Sequence, residues 1–184
     1  MSFVHLHNHT EFSMLDGAAR VGDAVAAAKA DGQPALAITD HGNMYGVLDF
    51  YKACRDADIT PIIGTEAYMA HETRTERPAR RGRLDDSGGD TEGGRKLYYH
   101  LTLLAQDRAG YRNMIQLASR AFLEGYFYKP RVDWELLDEH SEGLIATTAC
   151  LGGHVLQALM MGDEAEALTR AGRLQDIFGK ENLF

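Results

Sequence analysis

The sequence is poor in cysteine, in long hydrophobic runs and in positive charge. Its two cysteines, Cys54 and Cys150, are too few for a disulfide framework and too far apart for a CxxC metal pair, so reduced thiols are expected. No apolar segment approaches membrane-spanning length, and the opening MSFVHLHNHT does not have the layout of a signal peptide. The net charge of −8 is not typical of an independent nucleic-acid binder, because affinity for phosphates rests mainly on Lys and Arg. These absences predict a cytoplasmic protein without a membrane partner.

The 184 residues fit one globular domain in which strand-like and helix-like segments alternate. Predicted strands cover residues 3–9, 34–39, 60–69, 97–105 and 143–150. Predicted helices cover residues 20–30, 44–57, 109–123, 132–139, 154–161 and 164–178. This alternation predicts a mainly parallel α/β sheet, although the pattern alone hardly separates an open doubly wound sheet from a barrel. Polar residues near the C-terminal ends of several predicted strands favour a β/α barrel.

Residues 71–96 interrupt the alternation, because they are rich in Gly, Arg and Asp and almost free of apolar side chains. This composition predicts a mobile surface loop within the domain. Its arginines are candidates to meet a phosphate backbone: Arg74, Arg77, Arg80, Arg81 and Arg83. The plainer interpretation, a solvated loop, is favoured by composition alone.

The first sign of chemistry is the His-x-His pair formed by His7 and His9. Side chains alternate along a strand, so both imidazoles share one face and can converge on one ion. An isolated pair of this kind is equally consistent with two exposed strand histidines. Asp16 follows in a turn, LDG.

Further metal-ligating residue types occur at or near predicted strand ends. Asp40-His41-Gly42 comes directly after a strand, where a loop can aim a side chain into a cavity. Glu66 interrupts an apolar strand, and a carboxylate there is costly unless it is paired or bound to a metal. His100 interrupts LYYHLTLL in the same way, and Cys150 ends the last predicted strand. Taken singly, His100 is more simply a satisfied core histidine and Cys150 a small core residue.

Together these residues offer imidazole, carboxylate and thiolate, which is the ligand set for zinc, manganese or iron. A cluster of such ions activates water and stabilises charge on a phosphoryl group, so the sequence predicts metal-dependent hydrolysis of a phosphoester. The alternative is a purely structural metal site. Such sites are usually closed by four ligands that are often cysteines, and the spread-out, oxygen-containing set here argues against one.

The remaining histidines and the other cysteine receive different predictions. His5 is expected to line the floor of the site, and His71 and His140, which fall in polar stretches, are expected to face solvent. His154, after Gly152-Gly153, is a candidate neighbour of the site. Cys54 lies on the apolar face of a predicted helix and is expected in the core.

Three segments in order resemble the PHP (polymerase and histidinol phosphatase) family. FVHLHNHTEFSMLDG is similar to the family's opening, ITDHGNMYGVLDFYKAC to its second motif and PIIGTEAYM to its third. The later stretch GYFYKPRVDWELLDEHSEGLIATTACLGGHV resembles the branch found in alpha subunits of bacterial replicative DNA polymerase III rather than the stand-alone phosphatases. The resemblance extends over residues 1–184 apart from the Arg/Gly-rich loop.

The resemblance implies a distorted (β/α)7 TIM-like barrel, cut off before its last strands, with up to three divalent metals. The matching ligands are His7, His9, Asp16, His41, Glu66, His100 and Cys150. By similarity, His7, His9 and Glu66 hold the ion expected to carry catalysis, and Glu66 bridges to a second ion held by His100 and Cys150. Asp16 and His41 belong to a third. The family's last two ligands, an Asp and a His, have no counterpart, and the apolar end KENLF resembles the start of a strand, so a fragment is expected.

The function implied by the resemblance is a metal-dependent 3′–5′ exonuclease that proofreads the primer 3′ end during DNA replication. Zinc is the metal expected first, with manganese or iron open. Polymerisation would belong to later domains, and the partners would be DNA, the rest of the polymerase chain and replisome subunits. A structural or partner-binding module of the polymerase is one alternative. A stand-alone phosphatase, acting for example on histidinol phosphate, is another. The fragment by itself is expected to be nearly inactive.

Overall fold

The computed structural model describes residues 3–81, 89–91 and 95–184. Its α-helices are α1 (Val21–Ala30), α2 (Val47–Asp56), α3 (Arg108–Leu123), α4 (Trp134–Glu139), α5 (His154–Met160) and α6 (Glu164–Phe178). Its strands are β1 (Ala35–Ile38), β2 (Thr60–Met69), β3 (Arg80–Arg81), β4 (Asp90–Thr91), β5 (Tyr99–Ala105), β6 (Arg131–Val132) and β7 (Leu144–Thr147). Short 3₁₀ helices cover Glu11–Asp16 and Lys180–Asn182. No helix in these ranges is long and apolar enough to cross a membrane.

Side-chain caps define where several helices begin. Asp107, Asp133 and Asp163 precede α3, α4 and α6, and each carboxylate accepts a hydrogen bond from a backbone N–H of the first turn. Aspartate is favoured at this position because it satisfies amide groups that have no partner within the helix. All six predicted helices are present, and their ends differ from the predicted bounds by no more than three residues.

The main sheet has the order β1-β2-β5-β7, with β6 added beside β2. β1 and β6 run parallel to β2, whereas β5 is antiparallel to both β2 and β7. The α/β class is confirmed, but the prediction of a mainly parallel sheet is wrong. A parallel neighbour requires a crossover, usually a helix, and no helix joins β2 to β5 in the described part of residues 71–96. The described strands do not close into a barrel.

The predicted strand over residues 3–9 is wrong, because this segment has no regular strand structure. It nevertheless lies along β1: the His5 carbonyl accepts from Ala37 N at 3.0 Å, and the Asn8 carbonyl accepts from Thr39 N at 2.9 Å. Between these two hydrogen bonds the segment advances by three residues, from His5 to Asn8, while the chain along β1 advances by only two, from Ala37 to Thr39. The extra residue interrupts the ladder, as in a β-bulge, and re-aims the side chains around His7.

The two faces of the sheet have different surroundings. Odd-numbered residues of β2 and β5, such as Met69 and Leu101, face the hydrophobic core formed with α3 and α6. The paired even-numbered residues lie on the opposite face, where Glu66 is across from Thr102 and Tyr68 is across from His100. The strand period therefore places one carboxylate and one imidazole side by side on the face away from this core.

The described parts of residues 71–96 contact the rest of the domain. Arg74 forms ion pairs with Glu124 at 2.7 Å and with Asp133 and Glu135 at 2.9 Å. The β3 residue Arg80 pairs with Thr91 of β4. Arg83 and the rest of the predicted loop's tip, residues 82–88 and 92–94, lie outside the described residues, and the mobility of the loop stays a prediction.

Candidate metal centre

Glu66 is the centre of a histidine cluster. Its carboxylate is almost fully buried, with 1% of the residue exposed. One oxygen, Oε2, lies 2.9 Å from His7 Nε2, 2.8 Å from His9 Nε2 and 3.3 Å from His41 Nδ1. The two Nε2 atoms of His7 and His9 are only 3.2 Å apart. Three imidazole nitrogens thus converge on a single carboxylate oxygen.

The other oxygen of Glu66 faces a second group of donors. Oε1 lies 2.9 Å from His100 Nδ1 and 3.5 Å from Cys150 Sγ, and these two donor atoms are themselves 3.5 Å apart. His100 is near the start of β5 rather than at a C-terminal strand end, because β5 runs antiparallel to β2. Glu66 therefore joins two donor groups, one through each oxygen.

Asp16 extends the cluster toward the surface. Its carboxylate contacts His41 Nε2 at 2.5 Å, and the Asp16 side chain is about half exposed. His9, Asp16 and His41 each present a ligand atom within 4.8 Å of the others. The structure thus brings all seven of the predicted ligands into one continuous contact network.

A buried carboxylate that the sequence did not rank among the site residues positions two of the histidines. Asp40 accepts hydrogen bonds from Thr10 N at 2.6 Å, from Thr10 Oγ1 at 2.7 Å and from Ser13 Oγ at 2.7 Å. Ser13 Oγ also lies 2.9 Å from His9 Nδ1 and accepts from His41 N at 3.1 Å. Such outer contacts fix the orientation of ligating imidazoles. The DH pair directly after a strand was the available signal for Asp40, while Ser13 had none.

Gly42 allows an aromatic ring to pack under the site. Its φ is +60°, and a Cβ there would lie 2.7 Å from the ring of Tyr68, so a side chain would displace that ring. The Tyr68 ring stacks on His41 with centroids 5.5 Å apart and meets His100 edge-on at 5.4 Å. The glycine after His41 thereby keeps two imidazoles packed on one ring.

The charges of the cluster are strongly coupled. Burial raises the pKa of Glu66, but hydrogen bonds from His100, His7 and His9 outweigh it and hold that pKa well below its usual range. Burial lowers the pKa of His100, but contacts with Cys150 and Glu66 outweigh it and raise that pKa to about 9. For His41, burial dominates and the pKa is lowered. The environment therefore keeps Glu66 ionised, the state in which a carboxylate binds cations.

The donor set fits divalent metal ions. His7, His9 and Glu66 form one group with ligand atoms within 4.8 Å of one another, and His41, Glu66 and His100 form another. Within the described chain, His41 Nδ1 is buried and lies 3.3 Å from Glu66 Oε2, but it has no partner in hydrogen-bond geometry. Buried polar atoms normally have partners, so this nitrogen fits a group such as an ion beside Glu66. Nitrogen, oxygen and sulfur donors together suit zinc, manganese or iron.

The other predictions for single residues have mixed outcomes. Cys54 is fully buried in the core between α1 and α2, as predicted, and burial raises its pKa to about 11. His5 is exposed and lines a hollow beside α1, so its predicted place on the floor of the site is wrong. His71 is buried rather than facing solvent, and His154 lies with it on the other face of the sheet. The prediction for His71 is wrong, and His154 is not a neighbour of the site, because the sequence pattern cannot show which face of the sheet a loop or helix end covers.

Comparison with known proteins identifies the family of this arrangement. The PHP domain family profile matches residues 5–184. DNA polymerase III subunits alpha from Treponema pallidum and Deinococcus radiodurans are each 47% identical to the chain, over 100% and 99% of it, and the subunit from Thermus aquaticus is 46% identical over 97%. The chain spans 15%, 13% and 14% of the lengths of these three relatives.

Among solved structures, an amidohydrolase from Chromobacterium violaceum is 15% identical with a TM-score of 0.48, covering 89% of this chain and 74% of that one. This likeness is too slight to bear on function. The family match covers nearly all of the sequence, including the histidines, carboxylates and cysteine of the cluster. The chain belongs to the PHP domain family.

Proposed function

We propose that this chain is the PHP domain of a DNA polymerase III alpha subunit and that the cluster around Glu66 is its metal-dependent phosphoesterase centre. The reaction is 3′–5′ exonuclease cleavage at a primer end, which removes misincorporated nucleotides during replication. Polymerisation itself belongs to the rest of the polymerase chain. The partners are the primer 3′ end, that chain and other replisome subunits, and the site of action is the cytoplasm.

The observation that carries the proposal is the sharing of Glu66 between two donor groups. His7, His9 and His41 approach one of its oxygens, and His100 and Cys150 approach the other. A buried carboxylate bridging such groups is the arrangement expected of neighbouring ions rather than of a closed four-ligand structural site. His7, His9 and Glu66 are therefore assigned catalytic roles, as the residues that would hold the metal ion at which the reaction occurs.

The ligands divide among up to three ions, with zinc preferred. His7, His9 and Glu66 would hold the first, and Glu66, His100 and Cys150 would hold the second. Asp16 and His41 would contribute to the third. When bound, such ions supply a water of lowered pKa and neutralise charge on a phosphoryl oxygen. The protein's part is to orient the imidazoles through Ser13 and Asp40 and to hold Glu66 ionised.

The test is release of nucleotides from a mismatched 3′ end by the polymerase chain that contains this domain, stripped of metal and reloaded with Zn²⁺, Mn²⁺ or Fe²⁺. Activity should return with metal and be lost in Glu66→Gln, while the matched control Glu164→Gln, at an exposed position in α6, should behave like the unaltered protein. A small phosphomonoester is assayed in parallel.

Each other outcome has a clear meaning. Hydrolysis of the phosphomonoester alone would replace the exonuclease with a phosphatase. Bound metal without hydrolysis of either substrate would make the centre a structural element of the polymerase. Activity that survives in Glu66→Gln would contradict the assignment of the site.

A further inference from the structure

Cations and aromatic rings alternate along one edge of the candidate metal centre. Arg77 lies 5.4 Å from the centroid of the Phe127 ring, and Arg80 lies 5.2 Å from that of Tyr128. The Lys129 ammonium lies 5.0 Å from the centroid of a third ring, that of Tyr68. We call Arg77, Arg80, Phe127, Tyr128 and Lys129 the cation–aromatic strip.

The strip ends at the metal centre. Tyr68, which carries Lys129 on its ring, is the same residue that stacks on His41 and meets His100. Lys129 is therefore separated from two of the candidate ligands by a single aromatic ring. A group held by Lys129 would lie beside the place where the proposed reaction occurs.

Tyr128 is presented to solvent by an unfavourable backbone conformation. Its φ is +63°, a value that a bulky residue rarely adopts. Phe127 N donates to the Lys129 carbonyl at 3.0 Å, which closes a tight turn with Tyr128 at its apex. The residue is 43% exposed. Strained residues of this kind are concentrated at binding and catalytic sites, where the rest of the structure holds them in place.

A buried arginine fixes the backbone on which the strip stands. Arg131 has no exposed surface, and its guanidinium donates to the carbonyls of Gly125 at 3.1 Å and Leu97 at 3.2 Å. It also donates to the carbonyls of Arg74 at 3.1 Å and Glu76 at 2.7 Å. The segments that carry the strip are thus joined through one side chain, and the strip is a built surface.

The charge of the strip is opposite to that of the chain. The chain carries a net charge of −8, yet neither Arg80 nor Lys129 forms an ion pair with a carboxylate among the residues that the structure describes. The nearby carboxylates of Glu124 and Asp133 are instead paired with Arg74. Arg80 and Lys129 therefore remain available to an anionic ligand, whereas the Arg77 guanidinium donates to the carbonyls of Arg74 and Glu76 and holds the strip in place.

We propose that the cation–aromatic strip binds single-stranded DNA and leads its 3′ end to the metal centre, an inference that rests on the proposed exonuclease function. Arg80 and Lys129 hold successive backbone phosphates, and an unpaired base stacks on the face of the Tyr128 ring that Arg80 does not cover. Alternating cations and exposed aromatic rings are the means by which proteins bind single strands without reading their sequence. A base in a duplex is already stacked, so Tyr128 favours a frayed or mismatched end.

The test is fluorescence anisotropy of a labelled oligothymidylate binding to this chain, with chelator present so that nothing is cleaved. Tyr128→Asn should weaken binding by about tenfold, within the range found when a stacking ring is removed. Asparagine accepts positive φ, so this variant should fold at least as stably. Arg80→Gln and Lys129→Gln should each lower the slope of log affinity against log salt by about 0.7, because each removes one phosphate contact. Lys52→Gln, an equal loss of charge on the exposed face of α2, should change neither measurement.

Three outcomes would overturn the proposal: no affinity for the oligothymidylate, equal losses in Lys52→Gln and the strip variants, or equal affinity for a blunt duplex. Tyr128→Phe keeps the ring and should bind as the unaltered chain does, which separates stacking from a general effect of substitution. Failure of the exonuclease is distinguishable, because the strip would still bind single strands in chelator while metal-loaded protein left them intact.

Discussion

Two histidine clusters lie on opposite faces of the same two strands. On one face, His100 of β5 meets the carboxylate of Glu66. On the other, the residue before it, Tyr99, stacks on His154 with ring centroids 3.8 Å apart and lies 3.2 Å from His71 Nδ1 through its hydroxyl. The strand period sends neighbouring side chains to opposite faces, so adjacent residues enter unlike environments.

The partners of the imidazoles distinguish the clusters. His154 Nε2 donates to the Ala70 carbonyl at 3.0 Å, and its Nδ1 accepts from Arg170 at 3.0 Å, so both nitrogens are satisfied in the neutral ring. Burial, and then Arg170, lower its pKa well below the ordinary value. Around Glu66 the partners are a carboxylate and other imidazoles. Histidines facing carboxylates can bind a cation, whereas histidines facing arginines and carbonyls stabilise a core.

The largest expected effect is the loss of bound metal, which should follow a substitution in the Glu66 cluster but not one in the His154 cluster. Glu66→Gln should lower metal affinity by more than the roughly hundredfold that loss of an outer-shell partner produces, because Glu66 contacts both donor groups. Equilibrium dialysis followed by elemental analysis measures this. His154→Gln is the control from the other face and should keep the metal. Equal losses in the two variants would abolish the distinction between the clusters.

The second effect concerns stability. His154→Ala should lower the free energy of unfolding by about 2 kcal/mol, since it empties a buried site and leaves the Ala70 carbonyl without its donor. Urea unfolding in chelator measures the change, and metal affinity after reloading should be unaltered. If the variant unfolds like the original chain but loses metal, His154 belongs to the metal centre and not to the core on the other face.

The third effect tests the thiol. Cys150→Ser should weaken zinc binding by about tenfold and leave the free energy of unfolding almost unchanged, because zinc prefers a thiolate and Cys150 is only half-buried. Competition with a chromophoric chelator gives the affinity. Cys54→Ser, in the core, should show the reverse pattern of lost stability and retained zinc. Unchanged zinc affinity in Cys150→Ser would leave that thiol as a packing residue.

The smallest effect is a pH dependence of the metal-free chain. The folded pKa of His154 is depressed, so the unfolded chain takes up its proton first as pH falls below about 6.5. Its contribution to stability is present above that pH and is lost on acidification, by up to about 1.4 kcal/mol per pH unit. His154→Gln should show a shallower loss in urea unfolding between pH 7 and 6. The same slope in both chains would show that His154 is not held neutral.

Local patterns predicted much of the fold. The bounds expected for β2 and α6 match the structure, because an apolar strand flanked by polar residues and an Asp-capped amphipathic helix are encoded over short stretches. The strand predicted over residues 3–9 was wrong, because the bulge in this segment depends on its pairing with β1. The direction of β5 was also missed, because no residue of a strand specifies its neighbour's orientation.

The candidate site divides in the same way. Residue types and periodicity were enough to predict which donors are available and that Glu66 and His100 interrupt apolar strands, since a buried polar residue is conspicuous within a periodic pattern. Folding alone places His71 and His154 on the other face, lets Ser13 and Asp40 orient the imidazoles, and brings Lys129 within one ring of them. Periodicity is a local property of the chain, whereas a site forms from contacts between residues far apart in sequence.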